Sequence, residues 1–170
     1  MNRAEMPSDD SQHSQPWRDV DVLLIGESDE ECARFFGGEC ELTDAAARAF
    51  EDAFGVRFES TDEFLTFFRD QGCHLESLCA FPSHSSVGSE RTRLLRESVP
   101  DLATRLQNLQ PDVVVTLLKR IEPHVTKSIE LAGLVVPLYV LPYPRKSQAD
   151  AFREGLAAIL RSRSRSRRAA

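Results

Sequence analysis

Four short runs of residues, three of them strongly apolar, constrain the fold of this chain most. Segments with helical periodicity separate the runs, which cover Val20–Ile25, His74–Ala80, Val113–Leu118 and Val135–Leu141. Apolar strands that alternate with helices are typical of a parallel sheet whose two faces are both covered. Right-handed crossovers between such strands give a doubly wound arrangement. The sequence therefore predicts an α/β fold, a three-layer α/β/α sandwich around a four-stranded, mainly parallel central sheet.

The segments between the strands carry helix signals of their own. Thr43 precedes the amphipathic stretch 44–54 as an N-cap, and Gly55 follows it as a stop signal. Ser60 and Glu63 have the spacing of a capping box in front of a phenylalanine-rich helix. The helices that we predict cover residues 30–36, 44–54, 62–70, 90–97, 101–109, 123–132 and 147–160.

Charge divides the chain into unequal parts. The net charge is −6, and the last ten residues, RSRSRSRRAA, hold five arginines and no acid, so residues 1–160 carry −11. We expect residues 1–18, which lack periodicity, to be a disordered N-terminal tail and residues 19–160 to form one domain. Residues 161–170 are expected to be a basic Arg/Ser tail. Its charge suits either binding to DNA phosphates or a solubilising role.

Composition excludes several classes of protein. No apolar run approaches the roughly 20 residues that span a bilayer, and the first residues lack the apolar centre of a secretory signal. We therefore expect a cytoplasmic monomer without membrane contact. The four cysteines, at 32, 40, 73 and 79, show no C-x-x-C spacing. That pattern favours buried structural thiols over disulfides or a metal site, so we predict neither a metal nor a cofactor.

Function is expected at the carboxyl ends of the strands, where open α/β sheets bind their ligands. The stretch VLLIGESD brings Glu27 to this edge directly after the first strand. Residues 81–89, after the second strand, and residues 141–145, after the fourth, reach the same edge. Glu27 is then either a turn or helix-cap carboxylate, which the helix dipole favours, or a catalytic group.

Several motifs in this order resemble the uracil-DNA glycosylase superfamily. Gly26-Glu27-Ser28 is similar to the Gly-Glu-Ala-Pro motif that activates water in the iron–sulfur branch of that superfamily. Phe35 and Phe36 follow where its members place a base-stacking ring. Residues 109–120, LQPDVVVTLLKR, resemble its third strand, and LPYP at 141–144 falls at its His-Pro-Ser-Pro loop. The resemblance covers about residues 20–160.

The resemblance implies base excision from DNA, in which a nucleotide is flipped out of the stack into a pocket. It gives Glu27 the role of orienting the attacking water, and Phe35 or Phe36 the role of stacking on the base. Ser77 lies where the superfamily reads the edge of the base. The implied DNA-contacting loop consists of Pro142, Tyr143, Pro144 and Arg145, and the basic tail adds a second contact with DNA.

The chain also departs from the superfamily pattern. Leu141 stands where the motif has its histidine, and Glu76 or Ser77 replaces the uracil-reading asparagine. His84, in the loop after the second strand, is a candidate replacement for that histidine. The cysteines do not match the iron–sulfur pattern, so no cluster is predicted.

These departures argue against classical uracil excision and leave two main classes open. The first is a DNA glycosylase that hydrolyses the N-glycosidic bond of an altered base. The second is a non-catalytic module on the same fold that binds a nucleobase, a nucleotide or a nucleic acid. A more distant alternative is an interaction protein that keeps the scaffold without the pocket.

Overall fold

The computed structural model of the chain describes residues 20–38, 40–80 and 88–169. Its four strands and its helices alternate in the order that the sequence predicts. The strands are β1 (Val22–Ser28), β2 (Cys73–Cys79), β3 (Val113–Thr116) and β4 (Leu138–Val140). The helices are α1 (Asp29–Phe36), α2 (Glu41–Phe54), α3 (Thr61–Asp70), α4 (Ser89–Glu97), α5 (Val99–Leu109), α6 (Glu122–Leu131) and α7 (Ala149–Ala169), with a 3-10 turn at Lys119–Ile121.

The four strands form one sheet in the order β2-β1-β3-β4, and each neighbouring pair is parallel. Val22 of β1 is in register with both Cys73 of β2 and Val113 of β3, and Val114 of β3 is in register with Leu138 of β4. The chain crosses over between strands through helices, as parallel pairing requires. The predicted α/β fold with a four-stranded parallel sheet is confirmed.

Helices cover both faces of the sheet. Leu24 points to one face, where α1, α2, α3 and α7 pack around a cluster of phenylalanine rings. Leu23 points to the other face and belongs to a buried cluster with residues of α4, α5 and α6. All the apolar residues of β1 are buried, which explains why this strand reads as a continuous apolar run rather than an alternating one. The arrangement is the three-layer α/β/α sandwich that we expected.

Strand β1 is longer than its apolar run. The sequence suggests that the strand stops before Gly26, but β1 continues through Ser28. The reason is pairing with the neighbouring strand: Gly26 is in register with Ser77, and Ser28 with Cys79. Glu27 therefore lies within the strand, and its position is fixed by the sheet rather than by a turn.

Helix α2 begins earlier than its sequence signal. Thr43 was the expected N-cap, but the helix starts at Glu41 with Cys40 at the N-cap. Thr43 is buried, and its hydroxyl donates to the carbonyl of Phe35 over 2.9 Å. Ser60 caps α3 as predicted, since the amide of Glu63 donates to its side chain over 3.2 Å. The reciprocal bond of a capping box is shifted by one residue, because the Glu63 carboxylate accepts from the amide of Glu59 instead of that of Ser60.

The expected basic tail is largely helical. Residues 161–169 continue α7 without a break after the predicted helix end at Leu160. Arginine is a good helix former, and ion pairs from Arg163 to Asp112 and from Arg167 to Asp21 hold this segment against the domain. The predicted disordered segment 1–18 lies outside the described residues. No helix among the described residues is long and apolar enough to cross a membrane.

Candidate functional site

The carboxyl ends of the four parallel strands lie along one edge of the sheet, which we call the carboxyl rim. It consists of the last residues of the strands, Ser28, Cys79, Thr116 and Val140, with the segments that follow them. Glu27 comes from β1, Arg120 from the turn after β3, and Arg145 from the loop after β4. Arg91 joins them from the first turns of α4.

Glu27 is the centre of the rim, and its side chain is fully buried. The Nε of Arg91 donates to its Oε1 and the Nε of Arg120 donates to its Oε2, each over 2.7 Å. A second nitrogen of each guanidinium contacts the same oxygen. Burying a lone carboxylate costs several kcal/mol, and two guanidinium partners offset that cost. Both oxygens of Glu27 are therefore engaged by cations.

The side chains of the two arginines that bind Glu27 are more exposed than Glu27 itself. The side chain of Arg91 is 28% exposed and that of Arg120 is 50% exposed. Each guanidinium uses its Nε and one terminal nitrogen on Glu27, so its other terminal nitrogen points away from that carboxylate. Two cations on one carboxylate also leave a net positive charge. Glu27 thus orients two arginines whose side chains are partly exposed.

A second carboxylate, Glu31 of α1, lies beside Glu27. Its Oε2 accepts a hydrogen bond from the backbone amide of Glu27 over 3.1 Å. The residue before, Gly26, makes room for it, because a Cβ at position 26 would stand 2.9 Å from the same oxygen. Burial, together with the negative charge of Glu27, raises the pKa of Glu31, although its amide hydrogen bond and the charges of Arg120 and Arg145 oppose the rise.

The loop after β4 approaches the same cluster. Arg145 lies over the ring of Tyr143, with its guanidinium carbon 5.8 Å from the ring centroid. Burial raises the pKa of Tyr143 to about 12, with a smaller contribution from the charge of Glu31. Glu31 is thus within electrostatic range of both loop residues. The structure brings Glu27, Glu31, Arg120, Tyr143 and Arg145 into one charged cluster.

Ser77 lies on the neighbouring strand and is buried. Its hydroxyl donates to the carboxylate of Asp29, the first residue of α1. This contact links the end of β2 to the start of α1. Glu76 lies on a different network, because it accepts from His74 over 3.1 Å and from Arg105 of α5. Burial opposes ionisation of Glu76, but these two partners outweigh it, so the pKa of Glu76 is below its ordinary value.

The two predicted stacking rings occupy different environments. Phe35 is completely buried and contacts the rings of Phe64 and Phe68, with centroids 6.2 and 5.3 Å away. It is a core residue and has no face open to a ligand in this structure. Phe36 is 45% exposed, and its ring centroid lies 6.4 Å from that of His74.

Phe36 nevertheless lies away from Glu27. His74 is in register with Leu23, four residues before Glu27 on β1. At about 3.3 Å per residue, those four residues correspond to about 13 Å of strand. The structure therefore places the exposed ring beside the beginning of β2, whereas the carboxylate lies at the other end of the sheet.

Leu141, at the position of the motif's histidine, is part of the core. Its side chain packs against Gly155 of α7, where an added Cβ would stand 2.5 Å from Leu141 Cδ2. In the following loop Pro144 is buried, Pro142 and Tyr143 are half-buried, and Arg145 is exposed. Of the four loop residues, Arg145 is the one that presents a charged side chain to solvent.

Sequence reasoning missed three charged residues at the rim, which are Glu31, Arg91 and Arg120. Arg91 and Arg120 follow Glu27 by 64 and 93 residues, so no local pattern connects them with it. A signal did exist for Arg120: it comes directly after the clearest apolar strand, and that strand also ends at the carboxyl rim. Glu31 is one helical turn after Glu27, which is the spacing that brings side chains to one side of a helix start.

The remaining predicted residues are His84 and the cysteines. His84 lies outside the described residues. The cysteines are free thiols, three of them buried, and burial raises the pKa of both Cys32 and Cys73 to about 12. Among the described residues no group of three or more His, Cys, Asp or Glu side chains is arranged to hold a metal ion.

The rim can therefore hold an anion more readily than it can activate water. Its arginines are oriented and partly exposed, while the carboxylate that would orient water has both oxygens occupied. Comparison with known proteins returns no matching family model and no matching curated protein.

Proposed function

We propose that this protein binds the phosphate backbone of a nucleic-acid strand along its carboxyl rim, without cleaving it. The observation that carries the proposal is the orientation of Arg91 and Arg120 by the buried Glu27. Arginines held in a fixed geometry are suited to phosphate oxygens, since the guanidinium N–H groups that do not bond to Glu27 can donate to them. Proteins position themselves on nucleic acids mainly through such phosphate contacts.

A strand fits this rim better than a single phosphate. The sheet order places Arg120, after β3, next to the loop after β4, which exposes Arg145 and Lys146. Arg120, Arg145 and Lys146 therefore follow one another along the rim, as the phosphates of an extended strand do. The groove of about 220 Å³ beside this loop is lined by acids as well as cations, so the binding surface that we propose is limited to the rim.

The test is binding of a labelled single-stranded 20-mer, followed by fluorescence anisotropy, to the wild type and to Arg120→Gln. Arg91 still pairs with Glu27 in this variant, so we expect the fold to be retained. A charge-assisted hydrogen bond contributes about 1.5–3 kcal/mol, so affinity should fall roughly tenfold or more. The salt slope, which is the change in log affinity with log salt concentration, should also become shallower by about 0.7, the value for one phosphate contact on a single strand.

Arg93→Gln is the matched control. Arg93 lies two residues after Arg91 on α4, is largely exposed and pairs with Glu97 in the same helix. The Arg93→Gln substitution removes the same charge as Arg120→Gln without changing the rim. An equal loss of affinity in both variants would show that overall charge, and not the rim, binds the strand.

Base excision is the second candidate, favoured by the burial of Glu27 at the end of β1. This is where the resemblance to the uracil-DNA glycosylase superfamily places the water-activating carboxylate. Hydrolysis would require a bound phosphate to draw one arginine away from Glu27 and free an oxygen for water. Single-turnover assays on duplexes with uracil, hypoxanthine, xanthine or mismatched thymine test this. Cleavage by the wild type that disappears in Glu27→Gln would establish excision; binding without cleavage would support the first proposal.

A further inference from the structure

The second half of α7 lies at the other end of the sheet from the carboxyl rim. Asp21 directly precedes β1 and Asp112 directly precedes β3, so both mark the amino ends of the strands. Arg167 pairs with Asp21 and Arg163 pairs with Asp112. We call this end, with these four residues, the amino pole. Because β1 has seven residues, about 20 Å separate the pole from the rim.

The arginines of this helix divide into two rows. Arg163 and Arg167 are four residues apart and form the inner row, which faces the carboxylates of the domain. Arg161, Arg165 and Arg168 follow at i, i+4 and i+7, which places them along one other face of the helix. All three are exposed. We call this outer row the cationic ridge.

The inner row fixes the helix, and the ridge is left facing solvent. Arg161 donates to the backbone carbonyl of Asp52 over 3.1 Å, and Arg165 to that of Arg161 over 3.5 Å. The nearby Asp52 carboxylate is engaged by Arg153, which lowers the pKa of Asp52. The ridge is a concentration of positive charge on a chain whose residues 1–160 carry −11.

We propose that the cationic ridge is a second nucleic-acid surface, which contacts backbone phosphates independently of the rim. At 1.5 Å per residue the ridge is about 10 Å long. One strand of a duplex carries a phosphate about every 3.4 Å along its axis, so the ridge spans about three phosphates. Arginines on a fixed helix hold this spacing, whereas an unstructured tail does not.

The chemistry of the ridge favours nucleic acid over a membrane. A helix that lies on a bilayer needs large apolar side chains on one face. Residues 161–169 contain only arginine, serine and alanine, and the apolar residues of α7 that are buried, from Phe152 to Leu160, face the core. A phosphate backbone requires only charge and hydrogen-bond donors, and the ridge offers both.

The test compares two sets of arginine substitutions in the full chain. The ridge variant is Arg161→Gln, Arg165→Gln, Arg168→Gln, and the control is Arg57→Gln, Arg93→Gln, at exposed positions outside the ridge and the rim. Anisotropy of a labelled 20-base-pair duplex is recorded between 50 and 200 mM salt. With about 0.9 per phosphate contact, the ridge variant should lower the salt slope by about 2–3, and the control by less than 1. Replacing the ridge arginines by lysine should preserve the slope.

Several outcomes would overturn the proposal. An unchanged salt slope in the ridge variant would show that the ridge does not contact the duplex. An equal decrease in slope per charge removed in both variants would show that net charge, and not the ridge, is responsible. If the ridge variant lost binding to vesicles of anionic lipid but kept its binding to the duplex, the ridge would be a membrane surface. Arg120→Gln, measured in parallel, separates this proposal from the rim proposal, because a ridge effect should persist in that background.

Discussion

The carboxyl rim and the amino pole both join arginines to carboxylates, but they differ in burial. At the rim one fully buried carboxylate, Glu27, takes two arginines. At the amino pole each aspartate takes one arginine; the Asp112 side chain is 52% exposed, whereas that of Asp21 is 12% exposed. A buried charge depends on its partners, whereas an exposed one can exchange them for water.

This difference indicates what each end of the sheet is suited to. At the rim the arginines cannot move away from Glu27 without leaving its buried negative charge unpaired, so their orientation is fixed. At the amino pole the ion pairs hold the end of a helix, and the arginines that face outward belong to another row. The first arrangement orients donors toward a ligand; the second presents a charged surface.

The largest expected effect is the loss of both rim arginines. Arg91→Ala combined with Arg120→Ala leaves Glu27 buried without these partners, and breaking a buried pair in this way costs about 3–5 kcal/mol. Urea unfolding should therefore show a lower midpoint with an unchanged slope. The control from the other end is Arg163→Ala, where Asp112 is half exposed and the cost should stay below about 1 kcal/mol. Similar losses in the two variants would contradict the comparison.

The second effect concerns the apolar part of the rim. Leu141→His introduces the histidine that the uracil-DNA glycosylase motif has, but the side chain at 141 is 8% exposed and packs against Gly155. An imidazole there lacks the contacts of leucine and must bury a polar group, which costs about 2 kcal/mol. Urea unfolding should show that loss, and the excision assay should show no gain of uracil cleavage. Cleavage that appears without loss of stability would mean that position 141 opens to the rim.

The sequence was sufficient for the strand and helix order, because three strands are apolar on both faces and each is bounded by helix signals. It was not sufficient for the extent of β1, since Gly26 and the acids after it have the composition of a turn. Only the pairing of Ser28 with Cys79, 51 residues later, keeps that segment extended. Local pattern contains no information on such pairing.

The same limit applies to the site. Glu27 could be identified because it ends an apolar run, but its partners Arg91 and Arg120 are brought to it by the sheet order. Phe35 and Phe36 are adjacent in sequence, yet one is core and the other exposed, and only the packing of α1 on the sheet decides which is which. Residue type and spacing predicted where the site lies better than how its charges are paired.

A smaller effect is expected from glycine substitutions, one at the amino pole and one at the carboxyl rim. Gly72 has φ +74°, and a Cβ there would stand 2.4 Å from Oδ2 of Asp21 and 3.2 Å from Arg167. Gly72→Ala should therefore cost about 1–2 kcal/mol through the left-handed backbone conformation, or roughly 3–6 °C in melting temperature. Gly26→Ala meets only the end of the Glu31 side chain, which can move, so its melting temperature should fall by less. A larger loss from Gly26→Ala would show that Glu31 is held more rigidly than its exposure suggests.

The smallest effect is a pH dependence at the rim. The pKa of Glu31 is above its ordinary value of 4.5, mainly because of burial, so the folded state holds the proton more tightly than the unfolded state does. This contribution to stability is complete below the ordinary pKa and is lost as the pH rises through the folded-state pKa. Glu31→Gln stays neutral and can still accept from the Glu27 amide, so it should be more stable than the wild type at pH 7, within about 0.5 kcal/mol. Urea unfolding at pH 4 and pH 7 checks the sign: the advantage should disappear at the lower pH. A variant that is less stable at pH 7 would mean that attraction to Arg120 and Arg145 outweighs burial, and that the rim stabilises two carboxylates rather than one.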